Sequence, residues 1–509
     1  MDKFDAIIIG GGIGGLSTAA FLAKNGVKVI VLEKHNTPGG FAASFERNGC
    51  RFDIGLEGLY ELGEKNVIPF FLNYLGKKIA THLRKENFRI FNGGLDIRLH
   101  SGSYASDLAS AFPGEKAGIE KFFRINKKIM DEMSGGGAPK PPYEMNLFEK
   151  IAMGIGSLFT RPTLMRYGFR DAVPVLKKLF KDRRVAETLY AKLPTPAMYT
   201  ATAYRWNVAD REEVYYPEGG MQAIADTLAA SIRENGGQVI LNKEVNKVLI
   251  DESGEKPFAR GVKCVDGEYF YADTVISNSS PHHLLNKMID GVFALEQLRK
   301  TISQRKVFPG AMLSFTGVDG SYDFGGYNYF GFMGDNPLSL TPEKATPENC
   351  PFAMFVAEKP HGQKNHSAII YACLPYSYHN NWESGPNGER GEAYRKVKDE
   401  AHNVLLERVS SKLGAEFEKA VLFSIPSTPV TAWRYTYSYQ GSYIGWDYSR
   451  ASLGKFLPHQ TPVKGLYMVG QWVFPGFGIA GTMAGGYYLS RRLLAERGID
   501  LDSLMKPTK

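Results

Sequence analysis

The first forty residues contain three glycines and one acid whose spacing suits a dinucleotide. Gly10, Gly12 and Gly15 follow a short apolar run, and Glu33 lies eighteen positions after Gly15. Glycines at this spacing let the backbone turn sharply beside a pyrophosphate, and the amides at the start of a helix meet its charge. The acid can accept hydrogen bonds from a ribose 2′-hydroxyl. The pattern predicts an adenine-dinucleotide site, and an acid at position 33 argues against NADP.

The elements predicted around these residues are those that such a site needs. Residues 6–9 predict a strand, small and apolar residues after Gly15 predict a helix, and residues 27–32 predict a second strand beside Glu33. A glycine motif alone is weak evidence, because glycine-rich turns join strands to helices in many folds. Here all four parts lie at the required distances. They do not by themselves separate FAD from NAD.

The chain resembles the flavoprotein group that includes bacterial phytoene desaturases, carotenoid cis-trans isomerases and retinol saturase, and more distantly the amine oxidases. Besides the N-terminal motif, the resemblance is carried by Gly39-Gly40-Phe-Ala-Ala-Ser44-Phe45, by Arg51-Phe-Asp-Ile-Gly55 and by the glycine-rich stretch at 465–481. It implies FAD as the cofactor. It also implies an α/β fold: a Rossmann-like domain with a parallel sheet, plus an α+β substrate domain with an antiparallel sheet.

The resemblance implies FAD contacts in several parts of the chain. The first glycines would contact the pyrophosphate, Glu33 the ribose, and the backbone of Val245 the adenine. A helix starting near Ile479 would direct its first amides at the flavin pyrimidine oxygens, where negative charge collects on reduction. With the adjacent Ile13 and Lys34, the cofactor-binding candidates are Gly10, Gly12, Ile13, Gly14, Gly15, Glu33, Lys34, Gly39, Gly40, Ser44, Val245, Gly470, Gln471, Gly478, Ile479 and Ala480.

Two alternative functions come from proteins that resemble the same fold. A flavin amine oxidase is disfavoured, because amine oxidases usually carry an acid where this chain has Gln471. A non-catalytic protein similar to the GDP-dissociation inhibitors, which bind prenylated GTPases, is disfavoured because those proteins lack the intact FAD glycines. The chain departs from its group after Gly55: it reads Leu56-Glu57-Gly58, where desaturases often have Pro-Thr and retinol saturase has Ile-His. This departure leaves the particular reaction open.

The predicted activity is that of an FAD-dependent oxidoreductase on a long apolar isoprenoid or polyene lipid, by desaturation, saturation or isomerisation. A flavin supplies hydride chemistry itself, so the protein must hold the reacting carbons and exclude water. Glu57, after the segment expected beside the flavin, is the candidate catalytic proton donor, with a surface position as its alternative. Aromatic side chains suit a large apolar ligand, and the substrate-binding candidates are Tyr204, Trp206, Tyr215, Trp433, Tyr435 and Tyr437.

The length of 509 residues predicts two domains. We expect a discontinuous FAD-binding domain made of residues 1–75, 211–285 and 455–509. The substrate-binding domain is expected in residues 76–210 and 286–454. Within it, residues 147–184 predict a helical part that could face a membrane.

The segment 147–184 holds most of the net charge of +8, since nine Lys or Arg residues there oppose three acids. Leu147, Ile151, Ile155 and Leu158 recur in it at helical spacing. No stretch of the chain has eighteen apolar residues, so we expect no transmembrane helix. We predict a cytoplasmic protein that docks on an anionic membrane surface through this segment. The alternative is an amphipathic helix whose apolar face packs on its own domain.

Other partners are not expected. The four cysteines, at positions 50, 264, 350 and 373, form neither a CxxC pair nor a metal-ligand spacing, which favours free thiols in a reducing compartment. The adjacent His282 and His283 lack acids or cysteines spaced around them, so no metal is predicted. We expect no nucleic-acid partner.

Overall fold

The computed structural model describes residues 3–55, 58–64, 66–134, 140–191, 197–360 and 362–505. The described residues contain nineteen β-strands, which are β1 (Ala6–Ile9), β2 (Val29–Leu32), β3 (Ser44–Arg47), β4 (Cys50–Asp53), β5 (Thr81–Leu83), β6 (Phe88–Asn92), β7 (Leu95–Leu99), β8 (Tyr215–Pro217), β9 (Gln238–Ile240), β10 (Val245–Asp251), β11 (Phe258–Cys264), β12 (Tyr269–Tyr271), β13 (Thr274–Ser277), β14 (Ala311–Val318), β15 (Tyr329–Phe332), β16 (Phe352–Val356), β17 (His366–Cys373), β18 (Val421–Ser427) and β19 (Leu466–Met468).

The α-helices of the same residues number seventeen. They are α1 (Ile13–Lys24), α2 (Val67–Tyr74), α3 (Tyr104–Ala111), α4 (Lys116–Ser134), α5 (Leu147–Thr160), α6 (Ala172–Leu179), α7 (Arg183–Tyr190), α8 (Tyr199–Asp210), α9 (Gln222–Glu234), α10 (Pro281–His283), α11 (Glu296–Ser303), α12 (His379–Trp382), α13 (Glu392–Leu413), α14 (Ala415–Ala420), α15 (Pro429–Thr436), α16 (Ile479–Ala495) and α17 (Leu501–Leu504).

A five-stranded parallel sheet has the strand order β19-β13-β1-β2-β9. Its β1 and β2 are buried along their whole length, as expected for a parallel sheet covered on both faces. Helix α1 packs against α9 and α16 on one face of this sheet. Because the strands are parallel, the carboxyl ends of β1, β2, β13 and β19 lie along one edge, and the glycine-rich turns follow there.

A seven-stranded sheet has the order β18-β14-β17-β16-β15-β6-β7. All its neighbours are antiparallel except β15 and β6, which run parallel. The predicted α/β fold with one parallel and one mainly antiparallel sheet is confirmed. The strands of the parallel sheet come from residues 6–32, 238–277 and 466–468, and those of the larger sheet come from residues 88–99 and 311–427.

Three smaller sheets contain the remaining described strands. Strands β10, β11 and β12 form a three-stranded antiparallel sheet, β3 pairs with β4, and β5 pairs with β8. No helix in the described ranges combines the length and the apolar character needed to cross a membrane.

Candidate functional site

A cavity of about 1220 Å³ begins at the glycine-rich turns and continues to the seven-stranded sheet. Its lining includes Gly10 and Gly470 at one end and Phe315 and Phe355 of the larger sheet at the other. Single small-molecule sites are usually about 300–1,000 Å³. The cavity therefore has room for a large cofactor together with a second ligand.

All the cofactor-binding candidates except Gly15 and Ala480 line this cavity. Gly15 has a packing role instead, because a Cβ atom there would lie 2.3 Å from the carbonyl oxygen of Gly10. Ala480 is the second residue of α16. The two glycine-rich turns touch each other, since a Cβ atom on Gly14 would lie 2.8 Å from Cα of Gly470. The structure thus brings the N-terminal and C-terminal motifs together.

Two helices begin at the cavity without a side-chain cap. The N-cap of α1 is Gly12 and that of α16 is Gly478, and neither residue can offer a side-chain acceptor. The first amides of a helix have no partner within the helix, and they carry the positive end of its dipole. Both ends are therefore ready to receive negatively charged ligand atoms.

Glu33 is buried at the end of β2, with 7% of its surface exposed. Its carboxylate oxygens accept hydrogen bonds from two backbone amides, those of Gly11 at 2.6 Å and His35 at 2.9 Å. The carboxylate also lines the cavity, where a ribose hydroxyl could reach it. Glu33 therefore holds the first glycine turn in place in addition to its predicted contact with the ribose.

A cluster of side chains surrounds Tyr437 at the Glu33 end of the cavity. The ammonium of Lys34 lies 3.4 Å from the centre of the Tyr437 ring, and the ring of His283 stacks on it at 4.0 Å. The Tyr437 hydroxyl donates to Glu244 Oε1 at 2.6 Å. Burial lowers the pKa of the Lys34 amine to about 8, although Glu244 and Glu33 act in the opposite direction. Lys34 also donates to the carbonyl of Arg434 at 2.8 Å, which ties α15 to this end.

Gln471 holds the loop that precedes the C-terminal strand. Its side-chain amide donates to the hydroxyl of Ser438 and to the carbonyl of Ser442, each at 3.3 Å. An acidic side chain could not donate these bonds. The next residue of the loop, Tyr443, packs its ring 4.6 Å from the ring of Phe41.

Asp53 is a buried group of the site whose role the sequence did not indicate. It accepts hydrogen bonds from the hydroxyls of Ser44 and Tyr216 and, at 3.1 Å, from the amide of Met221. The Ser44 hydroxyl in turn accepts from the amide of Gln222. Ser44 thus joins β3 to the start of α9 as well as lining the cavity.

The substrate-binding candidates divide into three groups. Tyr204 lines the apolar part of the cavity. Tyr435 and Tyr437 also line it, but they lie beside Lys34 and His35 at the Glu33 end, where the Tyr435 ring stacks on His35 at 5.2 Å. Their position suits the nucleotide better than a substrate.

The remaining three candidates, Trp206, Tyr215 and Trp433, do not line this cavity, which corrects the expectation for them. Trp206 is fully buried, and its indole donates to the carbonyl of Leu189 at 2.9 Å. Tyr215 is the first residue of β8, and its backbone forms hydrogen bonds with the backbone of Leu59. Trp433 packs against Gly388 on the outer side of α15.

The candidate catalytic residue Glu57 lies outside the described residues. A different carboxyl group, that of Glu61, lines the apolar part of the cavity next to Tyr204. Asn278 also lines the cavity, and a Cβ atom on Gly12 would lie 2.7 Å from its side-chain nitrogen. Neither Glu61 nor Asn278 stands out in the sequence, because each follows an ordinary strand or loop pattern.

His282 and His283 each stack on a tyrosine ring. The ring of His282 lies 3.7 Å from that of Tyr439. Within the described ranges, no group of three or more His, Cys, Asp or Glu side chains is arranged to hold a metal ion.

These residues fit a flavin dinucleotide. The touching turns at Gly14 and Gly470, the two uncapped helix ends and the carboxylate of Glu33 offer the amides and the acceptor that its pyrophosphate and ribose need. The fold and the site together define a flavin-dependent oxidoreductase. Residues 13–494 match the family described as flavin containing amine oxidoreductase, and the chain belongs to that family.

Relatives of the chain cover nearly all of it. It is 28% identical over 528 residues to prolycopene isomerase 1, chloroplastic, from an Oncidium hybrid cultivar, with 98% of this chain and 85% of the relative covered. It is 27% identical over 538 residues to all-trans-retinol 13,14-reductase from Rattus norvegicus, with 97% and 86% covered. The structure of putrescine oxidase bound to putrescine has a TM-score of 0.62 at 15% identity, with 97% of this chain and 99% of that chain covered, a similarity of fold alone.

Proposed function

We propose that the protein is an FAD-dependent enzyme that acts on C=C bonds of a long apolar polyene lipid, carotenoid-like or retinoid-like. The observation that carries the proposal is the continuity of the cavity from the glycine turns into an apolar chamber. That chamber is lined by Leu313, Phe315, Phe355, Ile369, Phe423 and Ile425. An apolar, aromatic lining matches a ligand with few polar atoms.

FAD in particular is supported by the length of the polar part of the cavity. It extends from Glu33 and Val245, suited to the adenosine half, to Ile479 at the start of α16, suited to the flavin ring. A bound flavin would supply the hydride chemistry. The protein's part is to hold the ring beside the chamber and keep water away from it.

The polyene substrate is supported by the names of the two relatives, which refer to prolycopene and to all-trans-retinol. Amine oxidation is disfavoured by Gln471, whose amide donates to the loop at Ser438 and Ser442. The non-catalytic alternative is disfavoured by the intact FAD glycines of the sequence, of which Gly10, Gly12 and Gly14 line the cavity.

The purified protein tests this proposal directly. We expect it to be yellow, to release FAD on denaturation, and to convert an acyclic polyene presented in detergent micelles, as followed by chromatography and mass spectrometry. Desaturation lowers the mass of the product by two hydrogens, and saturation raises it by two hydrogens. Isomerisation leaves the mass unchanged. A colourless protein that binds no added FAD would contradict the proposal.

Peripheral membrane docking through α5 is the second part of the proposal. None of the described side chains of α5 is buried, and its large apolar residues are widely exposed, with Phe148 at 84% and Phe159 at 81%. This exposure argues against the alternative in which the apolar face of α5 packs on its own domain. The helix is nevertheless well formed, because Asn146 and Glu149 make a capping box at its start. An exposed apolar helix of this kind is typical of a surface that enters another apolar phase.

The start of α5 is anchored against the C-terminal motif and α16. Tyr143, just before the helix, packs 5.8 Å from Phe474, and Glu144 forms an ion pair of 2.9 Å with Arg491 of α16. Phe477, three residues after Phe474, lines the cavity. These contacts attach the start of α5 to the segment that leads to the cavity.

The basic residues of 147–184 are not equally available to bind anionic lipid. Arg183 pairs with the buried Glu187 at 2.6 Å, and Arg184 pairs with Asp182 at 2.7 Å, so these two are already neutralised within the protein. The lysines are the better candidates for anionic lipid, at about 1 kcal/mol each near the surface. They are Lys150, Lys177, Lys178 and Lys181.

Flotation with liposomes tests the docking. We expect binding to vesicles that contain anionic lipid, weakened by salt and by changing the four lysines to glutamine. The double variant Phe148→Ser and Phe159→Ser should lose binding, whereas Phe293→Ser should not, because Phe293 is 85% exposed but lies outside α5. Equal flotation of both variants, or none by the wild type at low salt, would refute docking through α5.

We also place the protein in the cytoplasm. The four cysteines are all buried free thiols, which supports a reducing compartment.

A further inference from the structure

The apolar part of the cavity contains a carboxyl group that is held by a phenol. We propose that this carboxyl, the side chain of Glu61, transfers the proton that the C=C chemistry requires. The proposal rests on the proposed function. When a C=C bond is saturated or formed, one carbon exchanges a hydride with the flavin, and the other must exchange a proton with some different group.

The geometry of the pair leaves one carboxyl oxygen available to a ligand. The hydroxyl of Tyr204 donates a short hydrogen bond to Oε1 of Glu61. Both residues line the cavity. The ring of Tyr60 packs edge-on against Tyr204 with 5.3 Å between centroids. No hydrogen bond joins Oε2 of Glu61 to another side chain in the described part of the chain, so this oxygen is the one that can face a reacting carbon.

The backbone holds Glu61 in position from both sides. Leu59 exchanges two backbone hydrogen bonds of 2.8 Å with Tyr215, and the Asn66 side chain donates to the carbonyl of Tyr60 at 3.0 Å. Gly58 allows this approach, because a Cβ atom there would lie 2.6 Å from the side chain of Val214. Tyr204 lies within α8, and the helix fixes the position of its backbone.

Gly55, Phe41 and Tyr443 pack together beside the cavity that Glu61 also lines. Gly55 packs against Phe41 and Tyr443, since a Cβ atom on it would lie 3.0 Å from the carbonyl oxygen of Phe41 and 3.6 Å from the Tyr443 ring. Those two residues line the cavity where the glycine turns meet the chamber. Glu61 lines the same cavity as Phe41 and Tyr443.

Tyr204 acts as a positioning residue and Glu61 as the acid or base. Burial, followed by the charge of Glu61, raises the pKa of Tyr204 far above its ordinary value, while Arg205 acts weakly the other way. The phenol therefore keeps its proton, so within the pair we assign the proton exchange with substrate to the carboxyl.

The proposed step balances in each direction. In saturation, the O–H bond of Glu61 breaks and a C–H bond forms with the π electrons of the C=C bond. A bound reduced flavin would supply the hydride to the other carbon, and water later reprotonates the carboxylate. Desaturation is the reverse: the carboxylate takes the proton, and a bound oxidised flavin would accept the hydride. Isomerisation needs protonation followed by deprotonation, with no net transfer of electrons.

Glu61→Gln tests the proton transfer. We expect kcat to fall roughly a hundredfold or more, with KM and bound flavin unchanged, because general acid–base groups typically contribute 10²–10⁴-fold. In D2O the wild type should place one solvent deuterium on a substrate carbon per turnover. Tyr204→Phe should lower kcat less, since it removes only the bond to Oε1. Glu64→Gln, an exposed carboxyl of the same loop, is the matched control and should have no effect.

An infrared measurement tests the position of Glu61 without turnover. Subtracting the infrared spectrum of Glu61→Gln from that of the wild type isolates the band of the Glu61 carboxyl group. We expect that band to shift when an apolar polyene binds, because the ligand removes water from Oε2. An unchanged band, or wild-type turnover by Glu61→Gln, would overturn the inference. If the wild type converts no polyene, the proposed function fails, and the infrared band still decides whether Glu61 faces an apolar ligand.

Discussion

Glu33→Gln separates the two roles that the structure gives this residue. The carboxylate accepts charge-assisted hydrogen bonds from the amides of Gly11 and His35. A glutamine has only one acceptor oxygen, so one backbone amide would lose its partner and face an NH₂ group instead. Hydrogen bonds to charged groups contribute about 1.5–3 kcal/mol. The flavin-free variant should therefore have a lower thermal midpoint than the wild type.

The same change should weaken FAD binding as well. If the ribose hydroxyl donates to Glu33, its bond loses charge assistance and competes with Gly11 for one oxygen. A further loss of about 1.5–3 kcal/mol corresponds to a dissociation constant roughly 10- to 100-fold higher. Titration of flavin-free protein with FAD, followed by fluorescence, measures this constant. Glu255→Gln, an exposed acid in a distant loop, is the control. Wild-type affinity together with a wild-type thermal midpoint in Glu33→Gln would refute both roles.

Three further predictions concern other parts of the cavity and its surroundings. Gly14→Val should abolish flavin binding, because its side chain would meet Gly470 at the point where the turns touch; absorption of the purified variant shows this. Ile425→Trp should keep the flavin but lose polyene binding, because it fills the apolar chamber; a titration of bound flavin with polyene measures the loss. Burial lowers the pKa of His283 to about 4, so the folded protein should lose stability as the pH falls below about 6.5 toward 4, when the unfolded chain takes up the proton; His283→Gln should flatten that loss in thermal midpoints measured across this range.

The end of the cavity formed by the glycine turns could be predicted because its signal is local. Gly10, Gly12 and Glu33 lie within one strand-turn-helix-strand unit, and their spacing alone requires the geometry found. The role of Glu33 in holding the first glycine turn was missed. It depends on the positions of the Gly11 and His35 amides, which cannot be read from the spacing of residues in the sequence.

The substrate half could not be predicted in the same way. An aromatic residue has the same sequence pattern whether it lines a cavity or fills a core, and Trp206 belongs to the core. Glu61 and Tyr204 are 143 positions apart, so only the tertiary fold reveals that they form a pair. The spacing of α5 predicted a helix, but the exposure of Phe148 and Phe159 follows from the absence of a packing partner among the described residues.

The central claim is that the bound flavin acts on polyene C=C bonds in the apolar chamber. Its most direct test is mass spectrometry of an acyclic polyene incubated with the reduced and with the oxidised holoprotein under dim light and without oxygen. We expect a product that differs by two hydrogens, or an isomer of equal mass, and no product with Ile425→Trp. An unchanged polyene, together with oxidation of a primary amine such as putrescine by the same protein, would contradict the account.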